Sequence, residues 1–240
     1  MRWAIGLHAI GLVFLVGAAM GADWRMASRE PAGIAPDPET TREAVIQVYA
    51  ARAFSWRGYF GVHSWIAVKK TDALRFVIYE VIGWRAYHGV SVVSISHRAA
   101  DSRWFGALPE IIADLRGDGV DEMIERVDAA ARDYPYADEY RVWPGPNSNT
   151  FTAHIARAVP ELKVDLPPTA IGKDYLPRGS VLATTPSGTG VQFSLFGLAG
   201  LLVGAEEGIE VNLLGLTFGV DPLDLALKLP GFGRISPVAR

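Results

Sequence analysis

The order of apolar and polar residues divides the chain into stretches of different character. From Trp3 to Ala22 the run is apolar, interrupted only by His8 and ended by Asp23. At a helical rise of ~1.5 Å per residue it spans roughly 30 Å, the thickness of a hydrocarbon core, so residues 1–23 predict an N-terminal apolar helix. Two fates fit it: a membrane anchor, or a signal peptide cleaved among the small residues between Gly17 and Ala22, although Met20-Gly21-Ala22 matches the usual cleavage preference poorly. Arg2 before the run and Asp23 after it fit an amino terminus held inside and a body outside. Residues 24–43 carry Pro31, Pro36 and Pro38 with few large apolar groups and read as a tether.

Beyond Ala44 the pattern is that of a folded body. The stretches 44–50, 62–68, 74–83 and 90–96 are rich in β-branched and aromatic residues and predict four strands. Over 109–133 the period changes: Val120, Met123, Ile124, Val127, Ala130 and Ala131 recur at helical spacing opposite Asp121, Glu122, Glu125 and Arg126, and a shorter helical piece is expected before Gly117 and Gly119. A further helix is predicted from Ser148 to Val159, stopped by Pro160. Residues 177–240 alternate again, as in Val191-Gln-Phe-Ser-Leu195 and Leu223-Asp-Leu-Ala-Leu-Lys-Leu229. With strands at 198–203 and 209–218 around a loop at 204–208, they predict an antiparallel β meander. The fold class expected is therefore α+β, with a strand-and-helix core over 44–176.

Composition narrows the function. The 240 residues are 50% hydrophobic and 20% charged with a net charge of -3, which excludes a basic nucleic-acid binder. There is no cysteine, so disulfides, thiolate metal sites and cysteine nucleophiles are ruled out together. His88 and His97 show no ligand-pair spacing with each other or with His63, and no metal or other cofactor is implied. His154 falls on a different side of its helix from Ser148.

Two local patterns carry candidate chemistry. If Thr71 and Asp72 are the central residues of a tight hairpin turn, His63 lies directly opposite Glu80, and a carboxylate beside an imidazole orients it as a general base. The alternative is a hydrogen-bonded structural histidine. The second pattern is Trp143-Pro-Gly-Pro-Asn-Ser-Asn-Thr-Phe151, where Asn147, Ser148 and Asn149 stand at a helix start among free N–H groups that favour negative charge. Such a residue is either a nucleophile or simply the helix cap.

Asn147-Ser148-Asn149-Thr150-Phe151 resembles the Asn-Cys-Asn-x-Phe motif that opens the nucleophile helix of circularly permuted papain-like proteins of the PPPDE type, relatives in fold of the NlpC-type peptidases. In those proteins a strand-borne His precedes the helix-borne Cys, the order of His63 and Ser148. A broader resemblance, carried by Trp56-Arg-Gly-Tyr-Phe-Gly-Val-His-Ser-Trp-Ile-Ala-Val-Lys69, Tyr79-Glu-Val-Ile-Gly-Trp-Arg85, Asp133-Tyr-Pro-Tyr-Ala-Asp-Glu-Tyr-Arg141 and Leu166-Pro-Pro-Thr-Ala-Ile-Gly-Lys-Asp-Tyr-Leu176, is to a bacterial envelope family of the DUF3750 type, a domain of unknown function. The first resemblance implies a permuted papain-like, NlpC-type antiparallel sheet with packed helices. It implies a site of Ser148 and His63; Glu80, from the hairpin register, would orient the histidine, and Asn147, Asn149, Trp65 and Trp143 are expected around the ligand.

The departure is Ser for Cys. A cysteine in such a place ionises readily, whereas serine must give its proton to the base during attack. Two functions follow. One is a hydrolase or acyltransferase acting on an envelope amide or ester, such as a peptidoglycan stem peptide or a lipid. The other is a catalytically inactive binding or scaffold protein that uses the same cleft, or the apolar meander, to hold a partner at the membrane surface. Either body is expected on the extracytoplasmic side, anchored by the N-terminal segment or released into the envelope if that segment is cleaved.

Overall fold

The computed structural model describes residues 23–237. The predicted N-terminal apolar helix lies outside them, and no helix among the described residues is long and apolar enough to cross a membrane. The protein is α+β, with two antiparallel sheets and two α-helices among the described residues.

The first sheet contains β1 (Val45–Arg52), β2 (Val62–Lys69), β3 (Val77–Val81), β4 (Val93–Ser96) and β5 (Pro109–Arg116), in the order β4-β3-β2-β1-β5. Its central strands are covered on both sides. Ile46, Val48, Ile66 and Val68 face α1 (Val120–Arg132) and α2 (Ser148–Ala158), while Val45, Tyr49, Trp65 and Ala67 face a second apolar cluster with Phe76, Ile78 and Ala100. Helix α1 follows its periodicity, burying Val120, Ile124, Val127, Ala130 and Ala131, with Asp121 and Glu122 in the first turn and Arg132 in the last, each suited to the helix dipole. Helix α2 begins with a capping box: the Asn147 side chain accepts from the N–H groups of Asn149 and Thr150, and the Thr150 hydroxyl accepts from the N–H of Asn147.

Two expectations need correction. Residues 109–116 form β5 on the edge of the first sheet, paired with β1, and not a helical piece. The alternation there is disguised by a bulge, because Val48 pairs with Ala113 and Tyr49 with Ile111, leaving Ile112 as the extra residue. The β2–β3 hairpin is not joined by a two-residue turn; residues 70–76 form a longer connection, held to α1 where Asp121 accepts from the Thr71 N–H and hydroxyl. Its register is Ile66↔Tyr79, Ala67↔Ile78 and Val68↔Val77, two residues away from the one that sets His63 opposite Glu80. Within the segment expected as a tether, Pro31 bridges Ser102, and the Asp101 carboxylate accepts from the N–H groups of Ile34 (2.7 Å) and Ala35 (3.2 Å).

The second sheet is a seven-stranded meander: β6 (Leu182–Thr184), β7 (Gly190–Leu195), β8 (Ala199–Gly204), β9 (Gly208–Leu213), β10 (Leu216–Asp221), β11 (Ala226–Leu229) and β12 (Gly233–Ile235), each paired with the next. The expected strand over 209–218 is split by a two-residue turn at Leu214 and Gly215, whose φ angles of 54° and 80° belong to a primed hairpin turn. The face this sheet turns to the body is polar. Gln192, Ser194, Glu210, Asn212, Thr217 and Lys228 are buried there, while Val191, Phe193, Ile209, Val211 and Leu213 on alternate positions face outward.

The join between the two parts is therefore ionic. Lys173 donates to Glu210 at 2.5 Å and to Asp174 at 3.0 Å, and Lys228 donates to Asp165 at 2.6 Å and to the other Glu210 oxygen at 2.7 Å. Asp174 also accepts from Gln192 (2.5 Å) and Asn212 (2.6 Å), and Gln192 accepts from Arg157 of α2 (2.5 Å). Burying this many charges is tolerable because Lys173, Lys228, Asp174 and Glu210 find partners of opposite sign and Arg157 is hydrogen-bonded to Gln192 and to the Ala153 and Thr184 carbonyls.

Candidate functional site

Strand β2 places the candidate residues by simple alternation. Val62, Ser64, Ile66 and Val68 point toward the helices, and His63, Trp65 and Ala67 point to the other face. The two-residue register shift keeps Glu80 on the face of His63, as a diagonal neighbour, whereas a shift of one would have sent it to the other side. His63 Nε2 and Glu80 Oε2 are 2.9 Å apart, and Arg98 donates to the same carboxylate oxygen at 3.3 Å. Burial lowers the His63 pKa against the pull of Glu80. For Glu80, burial acts to raise the pKa, but the hydrogen bond and charge of His63 and then of Arg98 outweigh it and hold the carboxyl below its ordinary value. A carboxylate can only accept, so His63 donates through Nε2–H to Glu80.

That imidazole belongs to an aromatic column. The ring of Trp104 stacks on His63 with centroids 3.5 Å apart, Trp84 lies beyond it at 6.1 Å, and on the inner side Trp65 follows at 5.8 Å and Tyr49 at a further 5.3 Å. The column runs from half-exposed Trp84 to fully buried Tyr49. Phe105 meets the edges of Trp84 and Trp104 and is itself touched by Trp24 and the Arg29 guanidinium, so the segment after residue 23 is fastened to the same cluster.

Ser148 is the first residue of α2 and is only 4% exposed. The helix start lies on the Ser64 side of β2: the Ser64 hydroxyl donates to Asn149 Oδ1 at 2.8 Å and meets Thr152 Oγ1 at 2.9 Å, and it lies 3.4 Å from the Ser148 carbonyl. No hydrogen bond joins His63 to Ser148 among the described residues, and the His63 side chain is directed to the face of β2 opposite the one on which α2 packs. Two of the N–H groups at the helix start are engaged, because Asn147 Oδ1 accepts from Asn149 (2.9 Å) and Thr150 (3.2 Å). The remaining polar groups of the motif serve as stitches. Asn147 Nδ2 donates to Val142 and Ile171 carbonyls, Asn149 Nδ2 to Val62 and Ile171, and Thr150 to Gly172. Gly172 adopts a φ of +94° directly against the Asn147 amide, where a Cβ has no room.

Of the other expected ligand contacts, Trp65 is fully buried with its indole N–H on the Ala100 carbonyl at 2.8 Å, so it faces no ligand. Trp143 is half-exposed and donates to the Leu214 carbonyl at 2.8 Å, tying the loop before α2 to the β9–β10 turn. The peptide bonds Trp143–Pro144 and Gly145–Pro146 in that loop are cis. His154 contacts the Ala130 carbonyl between the two helices.

A cleft with charged walls lies elsewhere. About 580 Å³ opens between the β1–β5 side of the first sheet and the β11–β12 side of the second, lined by Arg52, Glu110, Asp114, Asp165, Lys228 and Arg234 over an apolar floor that includes Val62 and Phe232. Neither His63, Glu80 nor Ser148 lines it. These cleft residues had no sequence signal, since they come from four separate segments. Lys173 and Asp174 stand in a stretch that carries the family resemblance, but nothing local announces that they are buried. Among the described residues no group of three His, Asp or Glu side chains is arranged to hold a metal ion.

No curated protein and no solved structure matches the chain. A family model described as a protein of unknown function (DUF3750) matches residues 43–175, which span the first sheet, both helices and the Lys173–Asp174 stretch, and by that match the chain belongs to the DUF3750 family.

Proposed function

We propose that this chain is a non-catalytic binding or scaffold protein of the cell envelope, built on a permuted papain-like core that no longer performs acyl transfer. The order of a strand-borne His63 before a helix-borne Ser148, with α2 laid across β2, supports the papain-like layout. The observation that carries the loss of catalysis is the placement of the would-be dyad. Ser148 is 4% exposed on the helix side of β2, while His63, 6% exposed, is stacked under Trp104 on the other face. Serine needs a base within hydrogen-bond reach and a substrate within reach of its hydroxyl, and the burial of Ser148 and the stacking of His63 under Trp104 support a reading in which it has neither. The open, charged cleft between the sheets is the better place for a ligand, and its mixed charges suit a peptide carrying both an amine and carboxylates, such as a peptidoglycan stem peptide. The apolar N-terminal run would hold the body at the membrane, on the extracytoplasmic side.

The test is labelling of the full chain with a serine-reactive phosphonate, beside Ser148→Ala. No labelling of either protein is expected, with unchanged thermal stability of the variant to within about 1 kcal/mol. Labelling of the native chain that Ser148→Ala abolishes would restore the hydrolase reading.

A further inference from the structure

The second sheet wears its polar face inward and its apolar face outward. From the strand pairing, every outward position on β6 to β12 except Thr184 is apolar, running from Phe193 at one side through Leu201, Val211 and Phe218 to Leu227 and Ile235 at the other. Phe193, Leu201, Val211, Phe218, Leu227 and Ile235 are each 40% or more exposed, while Leu216 and Leu229 are partly covered. The orientation is not an accident of a loosely attached sheet, because Lys173, Asp174, Asp165 and Arg157 of the core bond Glu210, Asn212, Gln192 and Lys228 on the inner face. Turning the sheet over would strand those charges. The sequence has committed its polar side to the body, so the apolar side must be covered by something other than the body.

The dimensions indicate what covers it. With strands ~4.8 Å apart and ~3.4 Å per residue, the seven strands have a flat footprint of roughly 500–600 Å². Side-chain relief and the exposed turn residues Phe196, Leu214, Leu223 and Leu225 around the rim enlarge the apolar surface further. Monomers seldom expose a contiguous apolar patch larger than about 300–600 Å², whereas a stable pair of chains needs about 800 Å² from each partner. No lysine or arginine points out of this face, and the chain is acidic overall, so it lacks the cations that draw peripheral proteins to anionic lipid. A flat apolar sheet matches best another flat apolar sheet, as in the two halves of a β-sandwich.

We infer that the outward face of the second sheet is the interface with a second copy of this chain, the two sheets packing face to face about a two-fold axis. This stands whether or not the core is catalytic, and its readout is independent of Ser148. The chain has no cysteine, so single cysteines can report the contact cleanly. Val191→Cys, Leu201→Cys, Val211→Cys, Val220→Cys and Leu227→Cys, one at a time in the membrane-bound full chain, place a thiol on each of five strands. Glu122→Cys on the exposed side of α1 is the control. The position nearest the two-fold axis is expected to give covalent dimer with a short bis-maleimide at tenfold or more above the control. Five positions guard against any one variant failing to fold. Absence of dimer at all five overturns the inference. So does a fluorophore on Val211→Cys that is quenched by nitroxide lipids in vesicles, since that outcome assigns the face to the bilayer.

Discussion

Glu210 is the residue on which the join between the two sheets depends most, and its removal has a calculable effect. Its two oxygens take Lys173 at 2.5 Å and Lys228 at 2.7 Å, and all three side chains are at most 3% exposed. Glu210→Ala leaves two ammonium groups facing a cavity. Taking one partner from a buried ion pair costs about 3–5 kcal/mol, because the other charge stays buried without compensation. Here each lysine keeps a second carboxylate, Asp174 at 3.0 Å for Lys173 and Asp165 at 2.6 Å for Lys228, so the low end, about 3 kcal/mol, is expected. Glu210→Gln preserves the shape but presents an amide N–H to one ammonium, and a loss of about 2 kcal/mol is expected. Urea unfolding of native and variant chains at fixed pH and salt measures both differences. A loss below about 1 kcal/mol for Glu210→Ala, or a fully stable Glu210→Gln, would refute the view that paired charge holds the sheet's polar face inward.

Other consequences follow from the core. The His63 pKa is lowered by burial from an ordinary 6.5, so the folded chain binds fewer protons than the unfolded one between those two values; stability is full above about pH 6.5 and falls as the pH drops below it, with Glu80 acting in the same direction at lower pH. Urea midpoints from pH 7.5 to 5 are expected to fall more steeply for the native chain than for His63→Gln, and parallel curves would contradict the assignment. Asn147→Ala removes a helix cap and two further bonds to the carbonyls of Val142 and Ile171, and a loss of about 2–3 kcal/mol is expected in the same assay. Gly172→Ala sets a Cβ against the Asn147 amide at a φ of +94°, and about 2 kcal/mol of destabilisation is expected; a neutral result would mean the Asn147–Gly172 contact is looser than described.

Much of the scaffold was legible from local pattern. Residues 45–52 and 62–69 read as strands because both faces are buried and β-branched, and α2 was legible because Asn147 and Pro160 punctuate it at both ends. Misreadings arose where a single residue or a distant partner decides. Ile112, inserted as a bulge, erased the alternation of β5, and the hairpin register depended on a connection whose length is set by Asp121 on another element. The tight-turn register that sets His63 opposite Glu80 differs from the observed one by two, an even shift that leaves both side chains on one face. Which way the C-terminal sheet turns could not be read from its alternation, since Val-Gln-Phe-Ser-Leu is as consistent with apolar residues outside as inside. That choice is made by Lys173 and Asp174, far away in the chain.

The central claim is that Ser148 is a buried residue that no base activates. Ser148→Cys tests it directly, because in a chain without other cysteines the new thiol is the sole site of alkylation. If the claim holds, iodoacetamide reacts more slowly than with a free thiol, and the rate rises only toward the ordinary thiol pKa of about 8.5 or above. Rapid alkylation with an inflection well below that value would mean that an imidazole and a helix terminus activate the position, and would contradict the account.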